Sequence, residues 1–277
     1  MSAAAHDEEH IHLPEPTIWP LVLVIGIAPL PVAALLASRP ELSLHFLWPA
    51  VLAFGVFLTL VGTLGWVTMV IREKPTIDQN WGNNTLSMAW KLFLLSEAAI
   101  FSAFFGHLFY TIYHAENREI LGNQWPPVGT PHIHLIIPMI GTFILVLSSL
   151  TCELGHKALI RGHRAACKNW IFATLILGFA FIGLQGYEWG HLMAYYDFTP
   201  SGSYVGTIFY LITGFHGFHV ITGLLMLFVV YARLELGSFD RKRHFSMNAA
   251  SWYWHFVDVI WLLVFFCLYC GIQPMPH

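Results

Sequence analysis

The stretch Ala249–Cys270, AASWYWHFVDVIWLLVFFCLYC, is long and apolar enough to cross a bilayer as one helix, yet it carries His255 and Asp258 inside the run. Hydrocarbon tolerates such groups poorly, so ionisable residues there point to function or to polar partners on neighbouring helices. Six further stretches show the same apolar character. Together they predict spans over about 17–37, 46–72, 85–114, 131–157, 167–195, 203–233 and 246–271. Several of them hold buried-type polar residues: Glu97, Glu153, His156, Glu188, His216 and His219. The expected fold is all-α, a polytopic membrane protein with seven transmembrane helices and an internal polar network.

Composition agrees. The 277 residues are 56% hydrophobic, 16% aromatic and 10% charged, against about 25% charged in a soluble domain. The net charge of -3 and basic residues confined to loops give no stripe for nucleic acid. Four cysteines, Cys152, Cys167, Cys267 and Cys270, lie in apolar surroundings and read as packing residues rather than a disulfide framework. The start, MSAAAHDEEHIHLPEP, lacks the basic region and cleavage pattern of a signal peptide, so the first span is expected to stay in the mature protein. Its His6, His10 and His12 read as part of a solvated tail, residues 1–16, with no site assigned.

Pro29 and Pro31 should kink the first span. The polar stretch Lys74–Asn84 separates two spans, within 17–73, from a more polar group of five, 85–271. Basic residues at 72–74, 157–168 and 233–243 fall on the side shared with the N-terminus. The positive-inside rule then puts the N-terminus inside and the C-terminus outside.

Among the polar residues, Glu97 lies in KLFLLSEAAIFSAFF without a basic neighbour at helical spacing and must find its partner on another helix. A proton-handling role and a structural hydrogen bond are equally compatible with that position. His216 and His219 stand three residues apart in GFHGFH, and His255 and Asp258 repeat the spacing, so the carboxylate could orient the imidazole. Packing is the stronger reading for either histidine of GFHGFH alone; with Glu97 the set reads as a buried network with proton capacity. Glu97, His216, His219, His255 and Asp258 are therefore the proton-network candidates.

Glu153-Leu-Gly-His156 and Glu188-Trp-Gly-His191 are two E-x-x-H pairs of the kind carboxylate-bridged metals use. They sit at opposite ends of antiparallel spans, on the order of 20–30 Å apart at the helical rise, and no metal site is expected. Nor is there a C-x-x-C-H haem attachment or a cysteine-rich copper domain. No catalytic residue is assigned, and redox chemistry is expected in partners. Trp66, Arg72, Glu73, Arg233 and His244, an interfacial aromatic with charged neighbours, suit an anionic lipid headgroup; snorkelling to the interface is the competing reading.

The residues AASWYWHFVDVIWLL at 249–263, TGFHGFHVITG at 213–223, LLSEAAIFSAFF at 94–105, QWPPVG at 124–129, LQGYEWG at 184–190 and VIRE at 70–73 resemble subunit III of the A-type haem-copper cytochrome c oxidases. The resemblance covers nearly the whole chain as one subunit III domain, 1–277. It implies two-helix and five-helix bundles around a lipid-holding cleft, and an accessory subunit without a redox centre. The haem and copper would sit in catalytic subunit I and in subunit II, with cytochrome c as donor, bound phospholipid in the cleft, and oxygen reduced to water with proton pumping. By matching position, Glu97 is the family's buried glutamate, and His216 or His219 its hydrogen-bond partner. Subunit III would stabilise the catalytic subunit and support proton uptake, in a bacterial cytoplasmic or mitochondrial inner membrane. The alternatives are the equivalent subunit of a quinol oxidase and a free-standing proton-coupled transporter. This chain departs from the family at Gly106-His107, where an aromatic Trp is usual, and at Glu153–Lys157, which replaces a T-W-A-H-H block.

Overall fold

The structure is a computed structural model of the chain, and it describes residues 17–39, 41–72, 79–113, 125–127, 130–131, 133–236 and 245–271. Among them the regular structure is all helical. The elements are α1 (Trp19–Ile27), α2 (Pro29–Ser38), a 3-10 turn (His45–Leu47), α3 (Trp48–Arg72), α4 (Gln79–Tyr113), α5 (Ile136–Ile160), α6 (Arg164–Tyr196), α7 (Tyr204–Glu235) and α8 (Phe245–Val264), which runs into a π turn (Phe265–Cys270). Seven of the resulting rods are long and apolar enough to cross a membrane. The protein is integral to the membrane.

The chain divides into two compact units, residues 1–78 and 79–277. In the first, α1 and α2 form a single span interrupted at Ala28, where Pro29 and Pro31 withhold two backbone donors from the ladder. Both pieces pack on α3. Glycine permits that approach: a Cβ at Gly62 would lie 2.7 Å from the Leu23 nitrogen, and one at Gly26 would lie 2.7 Å from the Leu58 carbonyl carbon.

The second unit holds five long helices. α4 begins at Gln79, inside the stretch expected from sequence to separate the two groups of spans. Between Pro75 and Pro126 the chain holds no proline, so no missing backbone donor interrupts the helix between Gln79 and its apolar part, Ser87–Tyr113. α5 starts at Ile136 rather than 131, with Pro138 in its first turn, where a missing N–H costs nothing. α6 ends on Asp197 in the left-handed conformation (φ 49°), and the Phe198 N–H returns to the Leu192 carbonyl. Ser203 caps α7 by accepting the Gly206 N–H at 3.0 Å.

Trp254 is the centre of this unit. It is fully buried, and Cβ atoms at Gly178 of α6 and Gly223 of α7 would each come within 2.8 Å of its ring. Its indole N–H donates to Ser148 Oγ of α5 at 3.0 Å. One side chain of α8 thus fixes three other helices. Trp261, also on α8, repeats the device one level along by donating to Thr142 Oγ1 at 2.9 Å, and Trp90 of α4 donates to the Ala249 carbonyl at 3.2 Å.

Candidate functional site

The five-helix unit places its polar side chains in separate clusters, each shared between helices. In the first, Glu97 of α4 meets His219 of α7, Oε2 to Nε2 at 2.9 Å. His219 is 6% and Glu97 18% exposed, and Phe101 and Tyr253 enclose the imidazole. The other ring nitrogen, Nδ1, lies 2.6 Å from the Phe215 carbonyl oxygen. A carbonyl only accepts, so Nδ1 carries a hydrogen. The 2.9 Å contact then requires one more proton between the two side chains, on the imidazole or on the carboxyl. Either placement leaves the pair neutral overall, which is what a low-dielectric interior favours.

His216 takes no part in that contact. Three residues before His219, it turns instead toward α6 and α8, packed against Phe181 (5.8 Å between centroids) and Trp261 (5.1 Å). Neither of its ring nitrogens has a hydrogen-bond partner. Of the two histidines that could serve Glu97, the geometry selects His219.

His255 and Asp258 are likewise not bonded to each other. His255 Nδ1 pairs with Ser149 Oγ of α5 at 2.7 Å, and its Nε2 stands 3.8 Å from Glu153 Oε2. Asp258 lies one turn further on, with neither carboxylate oxygen in a hydrogen bond of good geometry. The expected single network is therefore at least two sites, because three-residue spacing separates side chains by about 60° around the axis and crowded neighbouring helices claim them separately.

The two E-x-x-H pairs are engaged separately, and within the first His156 Nδ1 stays 3.9 Å from Glu153 Oε2. Glu153 makes an ion pair with Lys157 at 3.0 Å, and His156 Nε2 bonds the Asn248 side-chain oxygen at 2.7 Å. Glu188 turns into the bundle, where its Oε2 accepts from Tyr269 O–H at 2.5 Å and Gln185 Nε2 at 3.1 Å. His191 stacks among Tyr187, Tyr195 and Tyr196. No group of three or more His, Cys, Asp or Glu that could hold a metal is gathered among the described residues.

The Glu188–Gln185–Tyr269 cluster escaped sequence reasoning. The i, i+3 spacing of Gln185 and Glu188 in an apolar run was its only local signal; Tyr269 arrives from the π turn at the far end of the chain. The departure at Gly106-His107 builds a contact of its own. His107 Nε2 lies 3.0 Å from Tyr204 O–H, which also meets Thr111 Oγ1 at 2.5 Å.

Of the lipid candidates, Trp66 is exposed on α3 and Arg233 at the end of α7 donates to Ser246 Oγ at 2.7 Å. The Arg72 side chain, Glu73 and His244 lie outside the described residues, as does the histidine-bearing tail.

Residues 9–271 match the sequence profile of the Cytochrome c oxidase subunit III family. A Cytochrome c oxidase subunit 3 of Patiria pectinifera is 36% identical over 265 residues, covering 93% of this chain and 95% of the relative. That of Coturnix japonica is 33% identical over 273 residues, covering 96% and 98%. That of Branchiostoma lanceolatum is 34% identical over 270 residues, covering 93% and 95%. A helical, seven-span chain matched from residue 9 to residue 271 belongs to the cytochrome c oxidase subunit III family.

Proposed function

We propose that this chain is the accessory, redox-free subunit of a terminal oxidase that passes electrons from cytochrome c to oxygen and pumps protons, and that its own part is to support proton uptake and stabilise the catalytic subunit. Family membership supplies the complex. The observation that carries the proton role is the Glu97–His219 pair, whose geometry requires a shared proton inside a membrane helix bundle. A pair that shares one proton can pass it between carboxyl and imidazole without changing its net charge, which keeps a protonatable site inside the bundle without an uncompensated charge. Haem and copper belong to subunits I and II in this reading. The N-terminus faces inward and the C-terminus outward, on the basic-loop asymmetry. Trp66, Arg72, Glu73, Arg233 and His244 serve an anionic phospholipid.

Two measurements test it. Purification in mild detergent should bring the chain down with haem absorbance in a multi-subunit particle; a colourless, single-chain product rejects the oxidase reading and favours a free-standing transporter. Glu97→Gln keeps a hydrogen-bonding group but cannot carry the shared proton. It should leave haem content unchanged while slowing proton uptake or shortening the number of turnovers before inactivation. A variant that assembles normally but has lost its haem, or one with wild-type uptake and turnover lifetime, rejects the role for Glu97. For the lipid, replacing Arg72 together with Arg233 should lower co-purified anionic lipid by mass spectrometry, and unchanged lipid rejects that assignment.

A further inference from the structure

A cavity of about 390 Å³ lies between α5 and α8. Ser149 and Glu153 of α5 and His255 and Asp258 of α8 line it, and the rest of its wall is apolar, as at Val146 and Val259. The two helices run antiparallel, because His156 bonds Asn248, Ser149 bonds His255 and Trp261 bonds Thr142. The Lys157 end of α5 therefore lies beside the Phe245 end of α8. Asp258 sits near the middle of the span Phe245–Cys270, at the depth of the bilayer centre. From there the polar groups lead toward Lys157, whose side chain is 54% exposed.

These groups follow one another in order. Lys157 holds Glu153 Oε1 at 3.0 Å, and the other oxygen, Oε2, stands 3.8 Å from His255 Nε2. His255 Nδ1 is 2.7 Å from Ser149 Oγ, and the same hydroxyl stands beside Asp258. Serine has one hydrogen to give. Given to His255 Nδ1, it leaves Asp258 without that donor; given to Asp258, it requires that Ser149 accept an N–H from His255. The two arrangements use the same atoms and differ only in where the protons sit, which is what a relay needs. Asp258 itself is 9% exposed, and neither of its oxygens has a hydrogen bond of good geometry. Cys152, its other titratable neighbour on α5, is occupied by Ser251.

We propose that this polar wall is a hydrated proton inlet, leading from the Lys157 end of the span to Asp258, which binds and releases a proton at the middle of the membrane. The cavity far exceeds the ~10–15 Å³ that one water needs, and its polar groups supply the partners that a row of waters requires. Water closes the step between Glu153 and His255. A proton from water first binds the Glu153 carboxylate. It passes to His255 Nε2 as Nδ1–H passes to Ser149 Oγ, and the Ser149 hydroxyl hydrogen passes to the Asp258 carboxylate. Each step breaks one O–H or N–H bond and forms another. At the end Asp258 has gained one proton, Glu153 is ionised again, Ser149 is restored and His255 is its Nε2–H tautomer; release by the same route resets the ring. The inlet is separate from the Glu97–His219 pair, which joins α4 to α7, and requires only that α5 and α8 span the membrane. Its entrance is particular to this chain, since Glu153 and Lys157 lie in the block that replaces T-W-A-H-H.

The test is infrared spectroscopy of the purified complex as it is moved from H2O to D2O. Wild type minus Asp258→Asn should show the carbonyl band of a protonated carboxyl, and the band should fall in frequency as its proton exchanges. Glu153→Leu and His255→Phe each remove one relay group and should slow that exchange about tenfold, while Glu97→Gln should leave its rate unchanged. Absence of the band at every pH where the complex is stable overturns the proposal. So does a band that never exchanges, or exchange at the wild-type rate in either Glu153→Leu or His255→Phe. Slowing by Glu97→Gln would join the two sites and overturn the separate inlet. A particle without haem whose Asp258 exchanges through Glu153 keeps the inlet and rejects the oxidase reading; a haem-bearing complex whose Asp258 does not exchange does the reverse. Where Asp258→Asn fails to accumulate in the membrane, Asp258→Glu, which keeps the carboxyl and moves its band, makes the assignment.

Discussion

The two units of the chain solve the same problem differently. In residues 17–72 every threonine of α3 turns back on its own helix: Thr59 to the Gly55 carbonyl, Thr63 to Thr59 and Thr68 to Gly65. Helix contact there is a matter of glycine and aliphatic surface. In residues 79–271 some hydroxyls do the same, as Ser96, Ser102, Thr213 and Thr222 show, but a set of polar side chains also crosses between helices: Ser148 to Trp254, Thr142 to Trp261, Thr151 to Thr174, Glu97 to His219 and Tyr269 to Glu188. Lipid is as apolar as leucine, so van der Waals fit alone defines a register weakly. A polar pair that must meet defines it sharply. The first unit is built as an anchor, the second as a scaffold that holds chemical groups at fixed positions.

Breaking that contrast should cost most at Trp254. Trp254→Ala removes the ring that Gly178 and Gly223 were shaped to receive and leaves Ser148 without its donor. Large-to-small changes of this kind cost about 3–5 kcal/mol. The expected outcome is loss of the five-helix unit at a lower SDS fraction in mixed micelles, with the helicity of residues 17–72 retained. If both units were lost together, the contrast between them would be wrong.

Glu97→Leu should come next. It strands His219 Nε2 in an aromatic enclosure, and a buried polar atom deprived of its partner costs about 1–3 kcal/mol. Glu97→Gln, which still offers an amide to the imidazole, should recover most of that loss in the same titration. Equal losses in both variants would mean that the shared proton, rather than the hydrogen bond, holds α4 to α7.

How much of this was legible before the structure follows from the same contrast. The spans could be read because apolar length is a local property, and Glu97 and the GFHGFH histidines stood out because polar residues are rare in such runs. The choice of His219 over His216 was not legible. It depends on which side of α7 faces α4, and two residues three positions apart point to different neighbours. The pairing of His255 with Ser149, and of Glu188 with Tyr269, joins helices distant in sequence, where no spacing rule applies. The span read over 85–114 agrees with the apolar part of α4, Ser87–Tyr113; that the helix reaches back to Gln79 was not legible, because hydropathy marks the membrane, whereas a helix stops only where its backbone is interrupted.

A smaller effect tests the ends of the second unit. Arg164, at the start of α6, spans the C-terminus of α7 by donating through Nε and Nη2 to the Leu234 carbonyl at 3.0 and 2.8 Å. A cation there satisfies an orphan carbonyl and opposes the negative end of the helix. Arg164→Ala should cost about 1 kcal/mol, seen as a modest fall in the thermal midpoint of the purified complex.

The smallest change is expected at Thr59. Its hydroxyl bonds only the Gly55 carbonyl of its own helix, a carbonyl already placed to accept the Thr59 N–H. Thr59→Val preserves shape and removes a bond that joins no second helix, so the change should stay within about 0.5 kcal/mol. Thr151→Val has the same chemistry in the other unit but breaks a 2.8 Å contact between α5 and α6 and leaves Thr174 Oγ1 with its own-helix bond alone. It should be the costlier of the two in a matched SDS titration. Equal effects would show that the hydroxyls of the five-helix unit contribute no more by crossing between helices than those of the anchor contribute by staying home.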